Sequence, residues 1–179
     1  MRREFSARKT TTYQRGFDLG NIDLERLTSL TEKALRNPYI LRIMELLKAE
    51  ILRREEPFIW KVLSEQLLEE TFPAGIRSGW MFVLKPNTHT ASHYHPNSVQ
   101  YTLVIEGSGK IRIGEDEKEV QTFDLKRRKQ IWYVIPRNVP HSVTIREHAI
   151  VVFSFHTCPP SELLEVETLS GRLRVYEKQ

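Results

Sequence analysis

Periodicity changes once along this chain, at Phe72-Pro73-Ala74-Gly75. Upstream, apolar residues recur every three or four positions, the spacing of one helix face. Downstream, short apolar runs alternate with Gly, Asn and Pro turn signals, the pattern of strands. A chain with this switch divides into a helical extension over 21–75 and a β-rich domain over 76–179. In the extension, Asp23 caps a first helix with Leu24, Leu27, Leu30 and Ala34 on one stripe. Asn37-Pro38 starts a second helix, a cap followed by proline at the first helical position, with Ile40, Ile43, Leu47 and Ile51. Pro57 opens a third, carrying Ile59, Val62, Leu63 and Leu67. Such stripes are contact surfaces, and their task is to cover a sheet or another subunit.

The β-rich part reads as strands near Trp80–Lys85, Val99–Glu106, Lys110–Ile113, Glu119–Phe123, Ile131–Ile135, Ser142–Arg146, Ile150–His156 and Arg172–Tyr176. Turns fall at Pro86-Asn87, Gly107-Ser108-Gly109 and Gly114-Glu115-Asp116. Many short, closely spaced strands suggest an antiparallel barrel or sandwich. Two charge runs, Glu115–Glu119 and Lys126–Lys129, are placed in connecting turns as solvated loops.

Composition narrows the function classes. A chain of 179 residues, 40% apolar and 28% charged, is neither disordered, collagen-like nor a disulfide miniprotein. It contains no run approaching the roughly 18 apolar residues of a membrane span. Cys158 is the only cysteine, so no internal disulfide can form, and a cytoplasmic location is expected. The net charge of +4 resides in the first fifteen residues, where Arg2, Arg3, Arg8, Lys9 and Arg15 stand against Glu4 alone. The rest of the chain balances acid and base. Residues 1–20 are therefore read as a basic, flexible tail. The same Ser- and Thr-rich segment also has the composition of a transit peptide, but it lacks the apolar helical stripe. Without a basic face interleaved with aromatics, nucleic acid is not an expected partner. Phosphate-cradling glycine loops, a GxSxG elbow and paired cysteines for zinc are also missing from the sequence.

Histidines carry the remaining signal. His93 and His95 lie two residues apart, so on an extended segment both rings share one face. Two imidazoles on a face are half of a transition-metal site, although two surface histidines in a loop would give the same pattern. Gln100 opens the next strand, and His141 follows Pro140 just before an apolar one. Strand parity groups Gln100 with Thr102 and Val104, and His141 with Val143 and Ile145, which outlines a mostly apolar pocket. His156 shares its parity with Ser154, and can reach that pocket as a proton-transfer group or a further ligand; a strand-end histidine satisfied by backbone is the equal alternative. His89 belongs on a rim loop and His148 in a solvated turn. Tyr94 is assigned to packing; Trp80 and Tyr133 could line the cavity, although aromatics in barrel strands are more often core; and Cys158, with no neighbouring base, is not a nucleophile.

His93-Tyr94-His95, Gln100, Gly107, Pro136 and His141 together resemble the two sequence motifs of the cupin superfamily. The resemblance spans roughly 78–157 and leaves the helices unexplained. It implies an all-β fold, a double-stranded β-helix (jelly-roll) barrel preceded here by about three helices, with one metal in its mouth and a homodimeric assembly. Family glycines fall at Asn87 and Asn138, and Asn is the residue that best tolerates left-handed backbone in their place. A further family glycine falls at Gln130, and the last asparagine at Ile145. The family glutamate is replaced by Gln100. His93, His95 and His141, with Gln100 as a fourth ligand or a hydrogen bonder, would then hold one divalent ion. Iron is favoured; nickel, manganese, zinc, copper and cobalt also suit such donors. Four neutral donors leave the ion its full charge, which favours an anionic ligand. The function implied is a metal-dependent enzyme acting on a small, anionic organic molecule. A dioxygenase-like oxidation is preferred over isomerase or lyase chemistry, with His156 as general base. The alternative is a non-catalytic module that binds or senses a small ligand, with the helices as a docking element.

Overall fold

The computed structural model describes residues 22–125 and 132–176. The basic tail, the Lys126–Lys129 run, Gln130 and Ile131 lie outside the described residues. The first helix, α1, is Leu24–Ala34, and the Asp23 carboxylate accepts the Arg26 amide as its N-cap. The second, α2, is Pro38–Ile51, capped by Asn37 with Pro38 in its first turn. Both start where the sequence places them.

The third does not. Phe58–Val62 is a strand, β1, and only the four residues Glu65–Leu68 (α3), capped by Ser64, are helical. Phe-Ile-Trp-Lys-Val is aromatic and β-branched, which disfavours a helix and suits a pleated surface. A neighbouring edge was available: β1 pairs antiparallel with β2 (Ser78–Leu84) along its whole length.

The other strands are β3 (His93–Tyr94), β4 (Gln100–Glu106), β5 (Gly109–Ile113), β6 (Asp116–Glu119), β7 (Tyr133–Ile135), β8 (His141–Ile145), β9 (Ile150–His156), β10 (Leu164–Glu167) and β11 (Leu173–Val175). They form two antiparallel sheets, in the orders β1-β2-β9-β4-β7 and β11-β10-β3-β8-β5-β6. This is a jelly-roll barrel with a helical extension. Glu115–Glu119 was placed in a turn and Glu119–Phe123 in a strand; the strand is instead Asp116–Glu119, directly after a tight turn at Gly114 (φ 59°). Its four charged residues are all exposed, as an edge strand permits. Asn87 and Asn138 adopt φ of 54° and 61°, the left-handed geometry that asparagine tolerates best after glycine.

Two cores lie on opposite faces of the five-stranded sheet. Met81, Val83, Val151 and Phe153 face outward and pack with Leu27, Leu30, Ile40 and Met44 of the helices. Trp80, Phe82, Val104, Ile150 and Val152 face the barrel interior. Because both faces are covered, β2 and β9 are buried at every position. Among the described residues no helix is long and apolar enough to cross a membrane.

Candidate metal centre

Strand register sets the site. On the six-stranded sheet His93 and His141 are direct cross-strand partners. On the five-stranded sheet Gln100 lies opposite His156. His95, just beyond β3, sits between these pairs: its ring centroid is 5.3 Å from that of His141, 5.4 Å from His93 and 5.2 Å from His156. The candidate donor atoms of His93, His95 and His141 all lie within 4.8 Å of one another.

Each of these three rings is oriented by backbone. His93 Nδ1 meets Ala91 O at 2.9 Å, His95 Nδ1 meets Leu164 O at 2.7 Å, and His141 Nδ1 meets Val139 O at 3.3 Å. A carbonyl only accepts, so each Nδ1 carries a hydrogen, and in the neutral ring Nε2 is the atom left with a lone pair. Burial, and then the charge of His93 nearby, push His95 down to about 4. The same two causes, with His95 added, hold His141 well below the usual histidine range. Neutral imidazoles with a tethered Nδ1 are the form that binds a metal.

Gln100 is equally fixed. Its Nε2 donates to Thr102 Oγ1 at 2.7 Å and to Ser154 Oγ at 3.2 Å. Its Oε1 is buried with no partner, beside His95. His156 lies against Ser98, whose hydroxyl donates to Val99 O. His156 Nδ1 therefore donates to Ser98 Oγ (3.2 Å), and Nε2, fully buried, has no partner among the described residues. Burial first, then His95 and His93, lower its pKa well below the ordinary value. Two orphaned lone pairs, Gln100 Oε1 and His156 Nε2, beside three oriented imidazoles fit a cation rather than a satisfied polar core.

The pocket is a cavity of about 70 Å³, walled by Phe82, Leu84, Val104, Ile135, Val143 and Val152. Thr102, Val104 and Val143 line it as their parity requires, while Ile145, of the same parity as Val143, is buried in the core and does not. Trp80 is packed in the core and does not line the cavity. His89 and His148 are exposed and far from this role.

Glu165 is a candidate site residue that sequence reading missed. It is 5% exposed, lines the cavity, and places Oε2 3.5 Å from His93 Nε2. Arg174 bonds its Oε1 at 2.8 Å, and the Tyr176 hydroxyl donates to Oε2. Local alternation points the other way: in Leu164-Glu165-Val166-Glu167 the apolar parity belongs to Leu164 and Val166, yet Glu165 is the buried position of β10.

Residues 80–156 match the model of the cupin domain family. That stretch, a little under half of the chain, is similar to the cupin domain, and a helical layer precedes it. Among solved structures, a variant of salicylate 1,2-dioxygenase from Pseudoaminobacter salicylatoxidans aligns at 17% identity and a TM-score of 0.52, over 75% of this chain and 37% of that one. The same dioxygenase with gentisate aligns at 17% identity and 0.52, over 76% of this chain and 36% of that one. An oxalate oxidase with glycolate aligns at 18% identity and 0.46, over 64% and 57%. At such identities the dioxygenase likeness speaks for the fold, and this chain spans little more than a third of that enzyme's length. No curated protein matches the chain by sequence.

Proposed function

We propose that the barrel is a mononuclear metal-dependent enzyme that acts on a small organic molecule, with oxidation by dioxygen the favoured chemistry. One observation carries this reading: three imidazoles, each tied through Nδ1–H to a backbone carbonyl, bring candidate donor atoms within 4.8 Å of one another at a mostly apolar pocket. His93, His95 and His141 would hold the ion, iron by preference, with the fixed carbonyl oxygen of Gln100 as a further donor. Bound there, a divalent metal supplies Lewis-acid polarisation of a substrate oxygen and, if redox-active, the electrons that dioxygen chemistry needs.

The chain's own groups do the rest. The apolar wall excludes water and admits a ligand of only a few heavy atoms. Arg174 balances the charge of Glu165, so a metal-loaded site stays positive and favours an anionic substrate. His156 offers Nε2 as proton acceptor, its tautomer fixed by Ser98. A homodimer goes with this reading through the family.

Elemental analysis of protein purified without chelator or affinity tag tests it. The expected result is about one transition metal per chain, lost in His93→Ala and in His141→Ala, with oxygen uptake on a panel of small carboxylates. The second reading, a non-catalytic ligand-binding or sensing module, draws on the amide at position 100. Metal retention without turnover would favour it, and no metal even after reconstitution would sink the enzyme.

A further inference from the structure

The C-terminal hairpin brings Glu165 into the barrel mouth. In β10, Val166 pairs with Tyr94 and Glu167 with His93; continuing that register sets Glu165 level with His95, on the face that carries both histidines. A buried carboxylate needs partners, and two of its three neighbours are donors: Arg174 on Oε1 and Tyr176 on Oε2. The third, His93, meets Ala91 O through Nδ1, and its Nε2 lies 3.5 Å from Glu165 Oε2, beyond an ordinary N–H···O hydrogen bond. A positive charge between these two atoms would hold both. A proton would satisfy this pair alone. A divalent ion would satisfy it together with the lone pairs of His95 and His141.

The spacing fits. Ligands about 2.1 Å from an ion at a tetrahedral angle stand about 3.4 Å apart. We propose that Glu165 is the anionic ligand of this centre, supplied by the C-terminal hairpin in place of the carboxylate that Gln100 lacks, with Arg174 and Tyr176 as positioning residues. Oε2 accepts from Tyr176 with one lone pair and binds the ion with another. The inference rests on the metal reading above. It assigns the hairpin β10–β11, which lies after the cupin-matched residues, a place in the metal centre.

The test is Co(II) binding to the full chain, read by chelator competition and by visible absorption, which reports the ligand set without needing a substrate. Glu165→Gln keeps the shape and the oxygen that accepts from Arg174, while its amide nitrogen donates to the Tyr176 hydroxyl instead of accepting from it; the metal-free melting point checks the fold. The expected result is at least about a tenfold loss of affinity and an altered absorption spectrum. Wild-type affinity and spectrum in Glu165→Gln overturn the proposal while leaving the histidine site standing. If His141→Ala binds Co(II) as well as wild type, or wild type binds none, both readings fall. Should Glu165→Gln not fold, infrared difference spectra of wild type carrying ¹³C-labelled glutamate decide: a glutamate carboxylate band shifts on addition of Zn(II), and no shift refutes the assignment.

Discussion

His95, His141 and His156 are buried bases whose protonated forms the fold disfavours. For His95 the folded pKa is about 4 against 6.5 for the free side chain, so between these values the unfolded chain binds the extra proton. Its contribution is therefore complete above pH 6.5 and is lost as the pH falls toward 4. At 1.36 kcal/mol per unit, that shift is worth about 3 kcal/mol for this residue. Chelator-stripped protein should lose thermal stability steeply from pH 7 to pH 4, and His95→Gln should flatten that slope. A slope unchanged by the substitution would show that His95 ionises freely. The three candidate metal-site histidines were readable because HxH spacing on extended chain and a barrel strand after Pro140 place rings on known faces. Glu165 was not, because its role comes from a hairpin register with β3, and no local pattern encodes which strand it will meet.

Element geometry depends on a few close approaches. Gly109 sits in β5 opposite Ile145, and a Cβ there would lie 2.1 Å from Thr144 O on the partner strand. Backbone cannot yield as a side-chain tip can, so Gly109→Ala should push β5 from β8, the strand that begins with His141. The expected loss is about 3 kcal/mol, at the upper end for overpacking, read from urea midpoints. Gly171→Ala is the comparison: nothing lies within 4 Å, but φ of 67° should still cost about 1 kcal/mol. Equal losses would mean that β5 and β8 yield around the new Cβ and that the close approach carries no special cost. Turn residues announced the strand ends well: Gly107, Gly114, Asn87 and Asn138 all take positive φ. The third helix failed because Ile59, Val62, Leu63 and Leu67 fit a helical stripe by count, while Phe58, Ile59, Trp60 and Val62 favour the pleat. Tertiary pairing with Ser78–Leu84 decided between them.

At the scale of the molecule, the helices and the site occupy opposite sides of one sheet. Odd-numbered residues of β2 and β9 meet α1 and α2; even-numbered ones face the barrel interior. Either of two roles was open for the helical stripes, covering this sheet or docking another subunit, and they predict different behaviour for Leu27, which is fully buried against the outward face. If the helices are a layer of the same core, Leu27→Ala leaves a cavity that the sheet cannot close, at a cost of about 2–5 kcal/mol in the isolated chain. Metal stoichiometry at saturation should remain that of wild type, because no helix residue touches the cavity. A chain begun at Pro57 should precipitate, since Met81, Val83, Val151 and Phe153 would form one exposed apolar face. Denaturation of Leu27→Ala at several protein concentrations separates the alternatives. A loss independent of concentration belongs to the core of one chain; a loss that vanishes on dilution would return the helices to an interface.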